Sequence, residues 1–183
     1  MTSSFRTLTL SADTLNNLDQ LGYAEMTPIQ AASLPLALAG QDLIAQASTG
    51  SGKTAAFGLP VVEKLTANFH AVQALVMCPT RELADQVTTE IRRLARATAN
   101  IKVVTLCGGV ALRGQEQSLQ HGAHVVVGTP GRILDHLERG SLSLAGVNTL
   151  VLDEADRMLD MGFFDDIAKV VRQCAKDRQT LLF

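Results

Sequence analysis

Short apolar runs alternate with helical patterns along most of the chain. Six runs rich in aliphatic and β-branched residues predict strands at 42–47, 73–78, 102–106, 124–128, 149–152 and 179–183. Between the second and third runs, apolar residues recur at helical spacing, at Leu83, Val87, Ile91 and Leu94. Strands that are apolar on both faces and separated by helices predict βαβ units. We therefore expect an α/β fold with a mainly parallel sheet and helices on both faces.

Residues 1–41 precede the first predicted strand and contain two further helical patterns. One begins after Ser11 and ends at Gly22, and the other begins at Pro28 and ends near Gly40. Serine before a helix, proline in its first turn and glycine after its end are typical boundary residues. We interpret 1–41 as a preface that belongs to the same domain as residues 42–183.

The composition is that of one soluble globular domain. The chain has 183 residues, of which 46% are hydrophobic and 19% charged, and no apolar run approaches the length of a membrane span. The N-terminal MTSSFRTLTLS lacks the long apolar segment of a secretory signal. Three widely spaced cysteines favour neither a disulfide framework nor a zinc site. We expect a monomer in the reducing cytoplasm, without a membrane partner.

The charge distribution gives little direct information about partners. A net charge of −2 neither indicates nor excludes a nucleic-acid binder, because a local basic surface can lie on a mildly acidic domain. Residues 92–102 contain four cations and no acid, and we interpret this run as a solvated helix face. The four histidines lack the spacing of metal ligands.

Residues 47–54 read ASTGSGKT and lie between a predicted strand and a predicted helix, which is the context of a phosphate-binding loop. Gly50 and Gly52 let backbone N–H groups turn toward anionic oxygens, and the helix N-terminus adds partial positive charge. Lys53 can reach the β- and γ-phosphates, and the Thr54 hydroxyl can ligate Mg²⁺. The strict pattern has glycine at the position of Ala47, so an ordinary βα turn is the alternative. The GKT ending and both flanks favour the nucleotide site.

Two acids, Asp153 and Glu154, follow the apolar run 149–152 directly. A phosphate loop works together with an acid at the end of another strand, which holds Mg²⁺. We predict that Asp153 holds the metal through water and that Glu154 polarises the attacking water. Taken alone, two acids after a strand are equally typical of a helix start.

Residues 153–156 read DEAD, and with them the sequence resembles the DEAD-box ATP-dependent RNA helicases. In that family alanine is usual at the position of Ala47. The resemblance implies the N-terminal RecA-like domain, a three-layer sandwich that uses ATP and Mg²⁺. It assigns nucleotide contacts along the loop to Ser48, Thr49, Gly50, Ser51, Gly52, Lys53 and Thr54.

Residues 22–30 resemble the adenine-reading Q motif of the family, with Phe5 at its upstream aromatic position and Tyr23, Thr27 and Gln30 within it. The Gln30 amide can both donate to and accept from the adenine N6/N7 edge. Thr27 to Gln30 is also a capping box with proline at the first helical position, and both interpretations can hold. Met26 departs from the family, in which proline is commoner, and makes this loop less rigid.

Three further segments resemble the RNA-contacting motifs of the family. The resemblance assigns RNA contacts to Pro79, Thr80, Arg81, Gly108, Gly109, Thr129, Pro130, Gly131 and Arg132. Thr80 and Thr129 each follow a predicted strand and begin a helix, an arrangement that suits backbone phosphates but also an ordinary N-cap. Because nothing here reads base edges, we expect RNA binding without sequence preference.

The chain ends within its last predicted strand, and the resemblance implies a second RecA-like domain after it. Details at 105–109 and 118–121 are most similar to bacterial members that are stimulated by 23S ribosomal RNA during large-subunit assembly. Those members carry a C-terminal RNA-binding domain. We therefore expect this sequence to be the first domain of a longer RNA helicase that functions in ribosome biogenesis.

Two other functions remain open at this point. A phosphate loop with two acids does not show whether the enzyme acts on RNA, DNA or protein, so a P-loop ATPase that acts on DNA or on protein is one alternative. A scaffold that only binds nucleotide is the other, although such a protein has no need of a water-polarising acid such as Glu154.

Overall fold

The computed structural model describes residues 3–48 and 50–183. Within these ranges the helices are α1 (Ala12–Leu21), α2 (Pro28–Leu38), α3 (Lys53–Glu63), α4 (Arg81–Leu94), α5 (Leu112–Gln120), α6 (Pro130–Glu138), α7 (Ala155–Asp160) and α8 (Phe164–Val171). The strands are β1 (Leu43–Ile44), β2 (Ala74–Met77), β3 (Val103–Leu106), β4 (Val125–Gly128), β5 (Thr149–Leu152) and β6 (Gln179–Leu182). Short 3-10 turns lie at Phe5–Thr7 and Ala95–Ala97.

The described strands form one sheet in the order β1-β6-β5-β2-β4-β3, and every neighbouring pair is parallel. Parallel strands need a crossover between them, and the helices between consecutive strands provide it. The predicted α/β fold with a parallel sheet is therefore confirmed.

Two apolar cores lie on opposite faces of this sheet. Along β2, Ala74 and Val76 pack into the first core, whereas Leu75 and Met77 pack into the second. Helices α1 to α4 cover the first core and α6 to α8 cover the second, through Leu18, Leu34, Phe57, Val87, Ile133, Met158 and Val170. Because side chains alternate along a strand, a strand buried on both faces is apolar throughout, as the sequence pattern indicated. The three-layer architecture is confirmed.

The preface packs against the first core. Ser11 Oγ caps α1 by accepting from Thr14 N at 3.1 Å, and Gly22 ends the helix in a left-handed conformation with φ +84°. Leu18 and Leu34 bring α1 and α2 into the same core as α3. None of the helices in the described ranges is long and apolar enough to cross a membrane.

The first strand is shorter than predicted. The sequence pattern spans 42–47, but only Leu43 and Ile44 form the strand. β1 lies at the edge of the sheet and pairs with β6 alone. Its last contact with the sheet is the hydrogen bond from Ala45 N to Leu182 O at 2.8 Å, after which the chain leaves the sheet.

Candidate active site

The predicted phosphate-loop, acidic and RNA-contacting residues follow the carboxyl ends of five strands, which lie along one edge because the strands are parallel. The sheet order divides them into two groups. The loop after β1 and the acids after β5 flank β6, and we call this edge the phosphate-loop half. Thr80 after β2, Gly108 and Gly109 after β3, and Thr129 after β4 form what we call the glycine-turn half.

The phosphate loop turns through two left-handed glycines. Gly50 has φ +80° and Gly52 has φ +89°, a region that other residues adopt only with strain. A Cβ atom at Gly52 would lie only 2.5 Å from Gln30 Nε2, so glycine is also required there by space. Lys53 and Thr54 then begin α3, whose first-turn N–H groups have no partner within the helix. Thr49 lies outside the described residues.

A cleft of about 390 Å³ lies beside the loop, a volume typical of small-molecule sites. It brings together predicted residues from three segments: Tyr23, Gly50, Gly52, Lys53, Thr54, Asp153 and Glu154. Four residues of α4 also line it (Leu83, Gln86, Glu90 and Arg93) and were not among the predicted site residues. Phe5, Thr27 and Gln30 are not among its lining residues.

Asp153 is a buried acid without full hydrogen bonding. Its residue is 2% exposed, and Oδ1 has no hydrogen-bond partner among the described residues. Burial raises the pKa of Asp153 to about 6, against the opposing effect of Lys53. Ser51 Oγ is a second buried atom without a partner in this half. Unpaired buried oxygens are costly, and they are the atoms that a bound cation or ligand would satisfy.

The donor set fits Mg²⁺ held mainly through water. In the described ranges no group of three or more His, Cys, Asp or Glu residues is arranged to hold a metal. Asp153 and Thr54 nevertheless line one cleft, and Mg²⁺ in phosphoryl-transfer sites takes only one or two protein oxygens.

Glu154 has a strained backbone. Its φ of +54° and ψ of +51° lie in the left-handed region, although it carries a full side chain. Arg157 Nη1 donates to Glu154 Oε2 at 3.0 Å, a contact that the sequence pattern did not predict. Strain of this kind is often stored at functional sites.

The predicted adenine-reading residues lie behind the loop. Gln30 is 2% exposed; its Oε1 accepts from Thr27 N at 3.0 Å and its Nε2 donates to Gly52 O at 3.1 Å. Phe5 is buried and packs edge-on against the ring of Tyr23, with centroids 5.9 Å apart. Gln30 therefore links the start of α2 to the phosphate loop, and its contact with adenine stays a prediction.

A chain of hydrogen bonds joins Tyr23 to two residues of α4, and all three residues line the cleft. Tyr23 OH donates to Glu90 Oε1, and Arg93 Nη1 donates to Glu90 Oε2 at 2.9 Å. Burial and the Glu90 carboxylate raise the pKa of the Tyr23 hydroxyl. Part of the run 92–102 thus differs from a solvated face: Arg93 lines the cleft, and Arg92 Nη2 donates to Val103 O at 2.7 Å.

In the glycine-turn half, Arg81 lies against the turn. Thr80 Oγ1 caps α4 by accepting from Leu83 N at 3.3 Å, and the Arg81 side chain is 51% exposed. Arg81 Nη1 would be 3.3 Å from a Cβ atom at Gly109, which has φ +77°. Gly108 and Gly109 are exposed, whereas Pro79 is buried behind them.

The segment that begins α6 is held more tightly. Thr129 N donates to Leu106 O at 3.1 Å, Pro130 is buried, and Gly131 is half-buried. Only 14% of the Arg132 side chain is exposed, and its Nη1 donates to Val110 O at 3.0 Å and to Gln115 Oε1 at 3.1 Å. The guanidinium is thus already engaged within the protein, and direct contact of Arg132 with RNA stays a prediction.

The comparisons with known proteins match most of this chain to one family. The family described as DEAD/DEAH box helicase matches residues 27–183. The ATP-dependent RNA helicase DbpA of Escherichia coli (strain K12) is 60% identical over 169 residues, which cover 92% of this chain and 37% of that protein. The DEAD-box ATP-dependent RNA helicase CshA of Geobacillus kaustophilus (strain HTA426) is 49% identical over 181 residues, which cover 99% of this chain and 38% of that protein.

A solved structure has the same fold. The crystal structure of a DEAD box protein from the hyperthermophile Methanococcus jannaschii superposes with a TM-score of 0.93 at 45% sequence identity, covering 98% of this chain and 49% of that one. The present chain spans less than half the length of each of these relatives. The match over most of the sequence and the shared fold show that this chain belongs to the DEAD/DEAH box helicase family.

Proposed function

We propose that the chain is the first RecA-like domain of an ATP-dependent RNA helicase and that it binds ATP and RNA on the two halves of one sheet edge. The observation that carries this proposal is the placement of both halves at the carboxyl ends of adjacent strands, with β5 next to β2. A change in the bound nucleotide at Asp153 can then reach Thr80 across one strand spacing. That proximity is what coupling ATP to RNA remodelling requires.

Each residue of the phosphate-loop half has a role in this proposal. The backbone of 48–52 surrounds the phosphates, Lys53 neutralises them, and Thr54 and Asp153 would hold Mg²⁺ largely through water. Bound Mg²⁺ would offset phosphate charge. Glu154 accepts a proton from the attacking water, and Arg157 holds its carboxylate in place at 3.0 Å. The unpaired Asp153 Oδ1 and the position of Lys53 on the cleft wall support these assignments.

Adenine recognition is assigned to the preface. Gln30 reads the N6/N7 edge, Thr27 lies beside it, and Tyr23 and Phe5 supply the aromatic wall. The support is the location of Gln30 and Thr27 next to Gly52, and of Tyr23 in the same cleft, so a base attached to phosphates in the loop lies near these residues.

RNA binding is assigned to the glycine-turn half. The exposed residues Gly108 and Gly109, the first turns of α4 and α6, and the exposed Arg81 side chain lie at the same edge and suit a sugar–phosphate backbone. The names of both curated relatives describe RNA helicases, which supports RNA over DNA. The RNA is proposed to be ribosomal, as in the bacterial members that residues 105–109 resemble, and this would place the protein in the cytoplasm.

A second RecA-like domain in a longer parent protein is part of the proposal, supported by the length of the relatives. An arginine supplied from such a domain to the transferred phosphate is worth ~10³–10⁵ in rate. We therefore expect the 183-residue chain to bind Mg-nucleotide but to hydrolyse ATP far more slowly than the longer parent protein.

The proposal is tested by steady-state ATPase of the parent protein with RNA and with DNA of matched sequence, beside the 183-residue chain. RNA is expected to stimulate the parent strongly and DNA hardly at all. Equal stimulation by DNA would favour a DNA-directed motor instead. A chain that hydrolyses ATP as fast as its parent would contradict the two-domain part of the proposal.

A further inference from the structure

A buried polar network lies beneath the glycine turn and is not used by any role assigned so far. Its centre is Gln115 on α5, which is 6% exposed although most of that helix faces solvent. Gln115 Nε2 donates to Cys107 O at 2.8 Å. Because a carbonyl can only accept, this contact fixes the orientation of the amide, and Oε1 must face the other way. Oε1 accepts from Arg132 Nη1 at 3.1 Å and from His136 Nε2 at 2.9 Å.

These contacts hold the glycine turn at both of its ends. Cys107, directly before the turn, is bonded through its carbonyl to Gln115 Nε2. Val110, directly after the turn, is bonded through its carbonyl to Arg132 Nη1 at 3.0 Å. Both contacts lead to the same amide group, so Gln115 joins the two ends of the turn to the start of α6.

His136 completes the network. It is 0% exposed, and its Nδ1 lies 2.8 Å from Ser141 Oγ. Since Gln115 Oε1 can only accept, the proton of the neutral ring is on Nε2, and Nδ1 accepts from the Ser141 hydroxyl. Burial and the Arg132 guanidinium lower the pKa of His136, which favours this neutral form.

We propose that Gln115 and His136 are positioning residues that hold the Gly108–Gly109 turn and the start of α6 in the arrangement that binds RNA. Neither residue needs to touch RNA. Their effect is to keep the exposed N–H groups of the turn and the neighbouring Thr129 segment at a constant separation, so that little ordering remains when a phosphate backbone binds. This inference rests on the proposed RNA-binding function of the glycine-turn half.

The test compares Gln115→Ala with Gln117→Ala, a control on the same helix whose side chain is exposed. Binding of a labelled single-stranded RNA and of Mg-ADP is measured for each protein, with thermal unfolding as the check of folding. Loss of the Gln115 contacts is expected to raise the RNA Kd about fivefold to tenfold and to leave the ADP Kd within about twofold. The control is expected to match the unchanged chain in both measurements.

A second variant separates positioning from general packing. Gln115→Glu keeps the acceptor that faces Arg132 and His136 but cannot donate to Cys107 O, so an RNA affinity between those of the unchanged chain and Gln115→Ala is expected. If Gln115→Ala does not fold, the RNA and ADP affinities of Gln115→Glu alone test the positioning role. In NMR spectra, the Gly108 and Gly109 amide signals should shift in Gln115→Glu, whereas those of Gly50 and Gly52 should not.

The outcomes distinguish this inference from the function on which it rests. If the unchanged chain does not bind RNA, the RNA-binding proposal and the positioning role are both wrong. If the unchanged chain binds RNA and both Gln115 variants bind it equally well, only the positioning role is wrong. Parallel losses of RNA and ADP affinity would also overturn it, because they would indicate a general loss of structure.

Discussion

The phosphate-loop half and the glycine-turn half share one sheet edge, but they satisfy their polar groups in opposite ways. In the phosphate-loop half, Ser51 Oγ and Asp153 Oδ1 are buried without partners among the described residues, and Glu154 is held in a left-handed conformation. In the glycine-turn half, the side chains of Arg132 and Gln115 form hydrogen bonds to each other and to backbone carbonyls of the protein.

This difference indicates two strategies for binding. A buried polar atom without a partner costs roughly 1–3 kcal/mol, which a ligand can return when it binds. The phosphate-loop half is therefore completed by its ligand, whereas the glycine-turn half is already organised without one. We expect nucleotide to stabilise the fold substantially and RNA to stabilise it little.

The largest effect is expected on nucleotide affinity when the cation of the phosphate-loop half, Lys53, is removed. Lys53→Ala should weaken Mg-ADP binding by about a hundredfold or more, because charge-assisted contacts with phosphate are lost. RNA binding should be unchanged, since the glycine-turn half does not depend on Lys53. Titration calorimetry with Mg-ADP measures the first effect, and Lys169→Ala, on the exposed surface of α8, is the matched control. A parallel fall in RNA affinity would mean that the two halves are one site.

The next effect tests how Gln30 acts. Gln30→Ala should weaken ADP binding by ~1–3 kcal/mol and leave GDP binding nearly unchanged, because hydrogen bonds specific to adenine disappear. The structure adds a competing possibility, since Gln30 Nε2 also donates to Gly52 O at 3.1 Å. Equal losses for ADP and GDP would show that Gln30 serves the loop rather than the base.

A smaller effect concerns the charge on Asp153. Burial raises its pKa from 3.8 to about 6, so the protonated carboxyl stabilises the nucleotide-free fold at low pH and that contribution is lost as pH rises through about 6. Asp153→Asn should therefore raise the free energy of unfolding at neutral pH by ~1–2 kcal/mol, with little gain below the unperturbed pKa. Urea unfolding at acidic and neutral pH measures this. A variant that is less stable at neutral pH would contradict it.

The smallest effect is expected on the pH dependence of stability, and it comes from His136 beneath the glycine turn. The pKa of His136 is lowered from 6.5 by burial and by Arg132 and Arg139, although Glu116 and Asp135 oppose the shift. The unfolded chain therefore takes up a proton first as pH falls, and stability present above pH 6.5 is lost below it. His136→Gln should show a shallower loss in the same window. Thermal unfolding at a series of pH values measures this. If His136 does not contribute, the stability of His136→Gln will fall with pH as steeply as that of the unchanged chain.

Much of the fold and of the phosphate-loop half could be predicted from local sequence. Strands buried on both faces are continuous apolar runs, and the loop at 47–54 and the acids at Asp153 and Glu154 are each contiguous in the chain. Their spatial meeting follows from parallel strands, which all end at the same edge. The exception is β1, whose apolar run is longer than the strand because the chain leaves the sheet after Ala45.

The contacts that sequence could not supply are those between distant segments. The Tyr23–Glu90 hydrogen bond joins residues 67 positions apart, and the Gln115–His136 bond joins residues 21 apart. The sequence offered one clue, because Glu90 lies three residues before Arg93 and the two are spaced to pair on one turn of helix. Arg132 has the same spacing to Asp135, 3.6 Å away, but this pattern did not indicate that the Arg132 side chain is largely buried.

The left-handed backbone at Glu154 has a consequence for directed evolution. A non-glycine residue in that region costs about 1–2 kcal/mol, which Glu154→Gly would recover while removing the carboxylate. A library selected only for heat resistance or expression would therefore enrich this substitution. Its members would still fold and bind nucleotide, yet they would lack the group assigned to water activation. Selection for robustness in this protein has to be paired with a screen for turnover.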